Sequence, residues 1–243
     1  MKNEKIALIT GVSREMGLGF EVARQLAQAG FHVVISARDA EKVKALASLL
    51  QKQSLSVSSI WLDVVHENSV KWASDTFLRQ WGKLDVLVNN AGGFYDDGGF
   101  PMEQSFEFVR NAFETNLFGA WRMVKAFVPL LKKSDNPTIV NVSSGAGAFS
   151  DLSFGLIAKG DTTAYGLSKL ALNGLTVKLA TELKSQGIKV NAACPGFTAT
   201  YPGTADWGAR PVEDGAKSIV WAATLPTYGP TGGFYRDGKK LPW

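Results

Sequence analysis

Tyr165 and Lys169 stand four residues apart in the run Ala164-Tyr-Gly-Leu-Ser-Lys169. On a helix that spacing puts both side chains on one face, about one turn apart. A phenol is a poor acid at neutral pH, with a reference pKa of about 10. A neighbouring ammonium favours the phenolate and lowers that value. Such a pair can pass a proton to or from an alcohol or carbonyl oxygen. A surface helix with an amphipathic tyrosine would show the same spacing, so the surrounding chain has to decide.

The chain has 243 residues, with no linker, charge block or internal repeat, and it is expected to form a single domain over residues 1–243. Short apolar runs at 5–10, 32–37, 57–63, 84–89, 138–143 and 189–193, with a further candidate at 232–235, read as strands. The first six are mostly apolar or rich in Val and Ile, as strands covered on both faces should be. Helical patterns lie between them. Phe106, Val109, Phe113, Leu117, Ala120, Val124, Phe127 and Leu131 form the longest stripe. Alternating strands and helices predict a doubly wound α/β fold with a parallel sheet, whose ligands sit at the carboxyl ends of the strands.

Lys and Arg number 26 against 22 Asp and Glu, a net charge of +4. The charges are interspersed, with no basic stripe or aromatic-basic module, so nucleic acid is not an expected partner. Four apolar residues, Ile6 to Ile9, are too few for a signal-peptide core or a membrane span. The single cysteine, Cys194, cannot form a disulfide within the chain. A cytoplasmic protein with no membrane partner is expected. His32 and His66 are isolated in sequence, so neither a metal site nor a His-based triad is expected.

The first strand runs into Thr10-Gly-Val-Ser-Arg-Glu-Met-Gly17-Leu-Gly19 and then a helix. Glycines permit positive φ and close approach of a phosphate, and a helix N-terminus attracts anions. The second strand ends in Ala37-Arg38-Asp39. An acid there would suit a ribose 2′-hydroxyl, whereas an Arg suits a 2′-phosphate. Arg38, with Arg14 as a second cation, points to NADP(H). Asp39 is expected to cap the next helix. Asp63, ending the third strand, could accept from an adenine amino group or cap the helix near Glu67. Asn90, Ala91 and Gly92 end the fourth strand, where small residues let the backbone approach a cofactor. Ser143 and Ser144 end the fifth strand, and alternation sends them to opposite faces. Asn116 falls on an apolar helix stripe, where a buried amide must find partners.

Taken together these residues resemble the short-chain dehydrogenase/reductase family, over essentially the whole chain. The glycine loop, Asp63, Asn-Asn-Ala-Gly, Asn116, Ser144, Tyr165-x-x-x-Lys169 and Pro195-Gly196 stand in the family's order. The resemblance implies a seven-stranded parallel sheet of the Rossmann type. It implies Tyr165 as acid/base, Lys169 lowering its pKa and holding the nicotinamide ribose, Ser144 orienting the substrate oxygen, and Asn116 supporting a water-linked proton path. Cofactor contacts would come from Gly11, Ser13, Arg14, Gly17, Leu18, Gly19, Arg38, Asp63, Val64, Asn90, Ala91, Gly92, Tyr165, Lys169, Pro195, Gly196, Thr198 and Thr200.

Two features depart from the commonest family pattern. Five residues, Val12 to Met16, separate Gly11 from Gly17 where three are usual, so the loop is expected to bulge. Ser144 and Tyr165 stand 21 positions apart, and the stretch 145–160 should lie beside the substrate. Longer segments there, and the ending at 234–243, are similar to carbonyl-reductase-like members. The expected activity is therefore NADPH-dependent reduction of an aldehyde or ketone. Alternatives are an alcohol dehydrogenase, an oxoacyl reductase, or a non-catalytic NADPH sensor. A short lid is expected around 197–210, where Tyr201 and Trp207 suit an apolar or ring-containing substrate, or simply pack the lid shut. The family resemblance also allows a homo-oligomer.

Overall fold

The computed structural model describes residues 4–94, 99–158 and 162–243. Eight strands form one sheet: β1 (Lys5–Ile9), β2 (Phe31–Ala37), β3 (Val57–Trp61), β4 (Val86–Asn89), β5 (Thr138–Val142), β6 (Lys189–Ala193), β7 (Phe234–Arg236) and β8 (Lys239–Leu241). Their order is β3-β2-β1-β4-β5-β6-β7-β8. β1 to β7 are mutually parallel, as expected. β8 is an antiparallel addition to the expected seven, pairing Phe234 with Leu241 and Arg236 with Lys239. Asp237 and Gly238 both take positive φ, +52° and +73°, in the turn that reverses the chain. Two left-handed residues are what a tight hairpin between twisted strands requires.

Alternation along each strand sorts apolar residues to two faces. Ile6 and Leu8 of β1 face a core with Leu87, Ile139 and Val190; Ala7 and Ile9 face another with Val33, Val88 and Val140. The first core is covered by α3 (Glu67–Trp81), α5 (Ala120–Leu131) and α6 (Thr163–Leu183). The second is covered by α1 (Leu18–Gln28), α2 (Ala40–Gln51) and α7 (Val212–Ala223). Both faces must be apolar because both are covered, which is why the strands read as continuous runs.

The long stripe at 106–131 is one continuous helical path with an irregularity. α4 (Phe106–Phe113) passes through a π-helical turn, Glu114–Gly119, into α5. A π-turn takes up one extra residue and is frequent where a helix carries a functional group; Asn116 lies in it. No helix among the described residues is long and apolar enough to cross a membrane. Lys159 and Gly160 of the stretch following Ser144 lie outside the described residues.

Candidate active site

β1 and β4 are neighbours although β2 and β3 intervene in sequence, so the crossovers leave in opposite directions and open a crevice at their carboxyl ends. Gly11 sits there at φ +73°. A Cβ on Gly11 would come within 2.5 Å of Ala91 Cα, so only glycine lets the two strand-end loops meet. Thr10 Oγ1 accepts from the N–H groups of Asn90 (3.1 Å) and Ala91 (3.0 Å), and Asn90 Nδ2 donates to Thr10 O at 2.7 Å. Thr10 is therefore the hub of this junction, a role its position before Gly11 did not announce.

The two extra residues of the glycine loop, Glu15 and Met16, are extruded as a turn closed by Gly17 N donating to Arg14 O at 3.1 Å. This is the expected bulge. α1 then begins with Gly17 at the cap position, which offers no side-chain cap. α2 is different: Asp39 caps it, accepting from Lys42 N at 3.0 Å. The uncapped N-terminus is the one that faces the crevice, where an anion would complement its N–H groups. Ser13 is exposed and Leu18 half-buried beside it. Arg38 is exposed at the end of β2. The Arg14 guanidinium lies 3.8 Å from the centroid of the Tyr201 ring, so the glycine loop touches the 197–210 segment across the cleft.

Asp63 Oδ1 accepts from Val65 N at 3.1 Å, an Asx turn; the cap position of α3 belongs to His66, so Asp63 does not serve as that helix's cap. Val64 is buried and packs close to Gly119 of the π-turn.

α6 carries both Tyr165 and Lys169, as the spacing predicts. Tyr165 is half-buried; Lys169 is buried, with Nζ 5.6 Å from the centroid of the Tyr165 ring. Lys169 Nζ donates to Val142 O at 2.8 Å. Burial pushes its ammonium down to about 8, against a smaller opposing influence from Cys194. The group remains mostly charged at neutral pH. Gly147, three residues after Ser144, packs directly on the α6 backbone at Lys169, and Asn173 Nδ2 holds Gly147 O at 3.0 Å. The helix and the loop after β5 are thus locked together.

The two serines divide as alternation requires. Ser143 is buried, its hydroxyl donating to Asn173 Oδ1 at 2.6 Å. Ser144 is half-buried and accepts from Ala146 N at 3.2 Å. Asn116 is buried and fully engaged. Its Oδ1 accepts from Gly93 N at 3.0 Å, and its Nδ2 donates to Gly93 O at 3.0 Å and Ser168 Oγ at 2.9 Å. Ser168 Oγ in turn donates to Tyr165 O at 2.7 Å. Gly92 adjoins both polar groups: a Cβ there would stand 3.3 Å from Asn116 Oδ1 and 3.4 Å from Lys169 Nζ.

After β6, Gly196 takes φ +74°, and its N–H donates to Cys194 Sγ at 3.4 Å. Thr198 Oγ1 turns back to Pro195 O and Gly196 O, while Thr200 N donates to Thr198 O. Trp207 is 76% exposed, so it does not pack the segment shut. Tyr201, on Arg14, makes the cross-cleft contact instead. The structure therefore gathers Tyr165, Lys169, Ser144 and Asn116 around α6 and the ends of β4 and β5. The glycine loop, Arg38 and Asp63 lie along the ends of β1 to β3.

Comparison with known proteins bears on this geometry. The family model of the short chain dehydrogenases matches residues 5–207. The chain is 33% identical over 292 aligned positions to (+)-neomenthol dehydrogenase of Arabidopsis thaliana, covering 98% of this chain and 97% of that protein. Among solved structures it resembles salutaridine reductase of Papaver somniferum (TM-score 0.81, 26% identity, 96% of this chain and 99% of that one). It also resembles a metagenomic short-chain oxidoreductase in complex with NADP (TM-score 0.78, 28% identity, 96% of each chain). With the strand-end crevice, the uncapped glycine turn and the Tyr-Lys helix already in place, these matches establish that the chain belongs to the short-chain dehydrogenase family of oxidoreductases.

Proposed function

We propose that this chain reduces a ketone or aldehyde with NADPH, Tyr165 delivering the proton. The observation that carries the reading is the buried Lys169 ammonium beside the Tyr165 ring, on a helix fixed to the Ser144 loop. The residues present fit the cofactor. α1 offers an uncapped N-terminus, and Arg38 is exposed where a 2′-phosphate would be met. Gly11, Ser13, Gly17, Leu18 and Gly19 would hold the phosphates. Arg38 and Arg14 would hold the 2′-phosphate, Asp63 and Val64 the adenine, and Asn90 to Gly92, Pro195, Gly196, Thr198 and Thr200 the nicotinamide half. A NADP-bound relative of the same fold supports this choice.

NADPH held by these residues would supply hydride to the carbonyl carbon. Ser144 and Tyr165 hydrogen-bond the carbonyl oxygen as negative charge develops on it. Tyr165 gives up its proton, and the Lys169 charge stabilises the phenolate that remains. Solvent would return the lost proton to the Tyr165 phenolate through a Lys169–water–Asn116 chain, Asn116 Oδ1 and Lys169 Nζ both lying near Gly92, and Lys169 ends charged as it began. Oxidation of an alcohol is the same path reversed. Phe154 and Phe197, in contact at 5.8 Å between centroids and both partly exposed, form one apolar surface that would suit a ring-containing substrate. Two relatives whose names refer to neomenthol and salutaridine support that class.

The test is loss of reduced-nicotinamide absorbance with cyclic ketones, aldehydes and quinones, for the wild type and Tyr165→Phe. The variant should lose about 10²–10⁴-fold in kcat, the usual worth of a positioned acid, with NADPH affinity unchanged. A variant that turns over at the wild-type rate would refute the role of Tyr165. Tight NADPH binding with no turnover of carbonyls, or of alcohols with NADP⁺, would make the chain a sensor.

A further inference from the structure

Phe154 and Phe197 come from different segments, one following Ser144 and the other following β6, and both segments are tied to the same β7–β8 turn. Arg236 Nη2 donates to Asp151 Oδ2 at 3.0 Å. The other oxygen of Asp151 accepts from the N–H groups of Ser153 and Phe154, each at 3.0 Å. Next in sequence, Asp237 accepts from Nη1 and Nη2 of Arg210, at 2.9 and 3.0 Å, and from the Ser218 hydroxyl at 2.8 Å. Arg210 N donates to Phe197 O at 2.9 Å, and Arg210 O accepts from Ala199 N at 2.9 Å. Each ring is therefore one residue's backbone away from an ion pair, and the two ion pairs end on consecutive residues of opposite charge.

We propose that Arg236 and Asp237 form a two-ended clamp that holds Phe154 against Phe197 in one apolar wall and thereby selects carbonyl substrates by bulk. The clamp rests on the reductase reading for its substrate and on the contacts above for its mechanics. The turn is stiff, because Asp237 and Gly238 both hold left-handed conformations and Asp237 N is bonded to Ser218 Oγ at 2.9 Å. Arg236 is further fixed by Cys194 Sγ at 3.1 Å. The Asp151 carboxylate fills the space a side chain at Gly145 would need, so this anchor lies against the residue next to Ser144. Burial pushes the Asp151 carboxyl up, but the Phe154, Ser153 and Arg236 donors outweigh it and hold it below the usual range. The Arg210 bond does the same for Asp237. Both stay ionised through neutral pH. Asp151 and Asp237 act as positioning residues, through the ring wall.

Asp151→Asn and Asp237→Asn test the clamp gently. The first keeps an acceptor for Ser153 and Phe154, and the second keeps a residue type that tolerates positive φ. Across a series of cyclic ketones of increasing bulk, each variant should shift the bulky-to-small kcat/KM ratio about tenfold, the scale of one group in a pocket. KM should carry the change, with kcat on the smallest ketone unchanged. Arg236→Lys should recover more of the wild-type ratio than Arg236→Met. Amide hydrogen exchange of the cofactor-free protein provides the readout that needs no activity. Because the two rings touch, either variant should speed exchange in both 149–158 and 197–210. A uniform drop across the ketone series with a matching drop in Tm, or exchange confined to the mutated segment, would overturn the clamp. If the wild type reduces no ketone, the reductase reading fails, and the exchange result alone decides the clamp.

Discussion

Substituting Lys169 with methionine should raise the stability of the cofactor-free protein at neutral pH even as it removes the group proposed to assist Tyr165. Burial lowers the lysine from 10.5 to about 8. A shift of that size means that holding the charge inside costs on the order of 3 kcal/mol near pH 7. Methionine fills a similar volume without a charge. It leaves Val142 O without the ammonium that donates to it at 2.8 Å, a loss of about 1–2 kcal/mol. The net gain is about 1–2 kcal/mol, or a few degrees in Tm for a chain of this length. The sign changes with pH in a definite direction. The folded pKa lies below the unfolded one, so between about 8 and 10.5 the unfolded state binds more protons and wild-type stability rises with pH. Near pH 10 the ionisation penalty has shrunk to about 1 kcal/mol. The advantage of methionine should vanish there or reverse. Urea unfolding of both proteins near pH 7 and pH 10 measures this. A stability difference that is independent of pH, or a methionine variant that is less stable at neutral pH, would refute the assignment of a desolvated charge to Lys169.

Two further perturbations separate cofactor recognition from packing. Arg38→Ala should weaken NADPH binding by about 10–100-fold, the worth of a hydrogen bond to a charged group, and leave NADH binding unchanged in a fluorescence titration. Equal losses for both cofactors would contradict the 2′-phosphate assignment. Asn116→Leu strips partners from Gly93 N, Gly93 O and Ser168 Oγ, and should cost about 1–3 kcal/mol for each group left buried and unpaired. Denaturant titration would show this, and a variant as stable as the wild type would mean that water restores those bonds.

The parallel part of the sheet was legible because covered strands must be apolar on both faces, and the runs in β1, β2, β4 and β5 have no other use. The Tyr-Lys face was legible for an equally local reason, since helical spacing alone brings the pair together. β8 was not read from the sequence, as Lys-Lys-Leu carries no apolar pattern; the signal was the Asp237-Gly238 dipeptide, a hairpin turn. The π-turn left no trace in the apolar stripe, whose steps of three and four suit a regular helix equally well. Ser143 and Ser144 were alike by chemistry, and what separates them is the Asn173 partner that one of them finds. The links from Arg236 to Asp151 and from Asp237 to Arg210 span 85 and 27 residues. No local pattern encodes such distances; they follow from a sheet order that puts β7 beside β6.

The π-turn also bears on how this chain can change length. It takes up one residue more than an α-helix crossing the same span, and the excess is confined to Glu114–Gly119. Deleting one residue there, such as the partly exposed Phe118, would return the turn to α-helical form. α4 and α5 would keep their apolar faces toward the core. The presentation of Asn116 to Gly93 and Ser168 would be lost. At this point of the chain a single codon deletion would keep the fold and take Asn116 away from its partners.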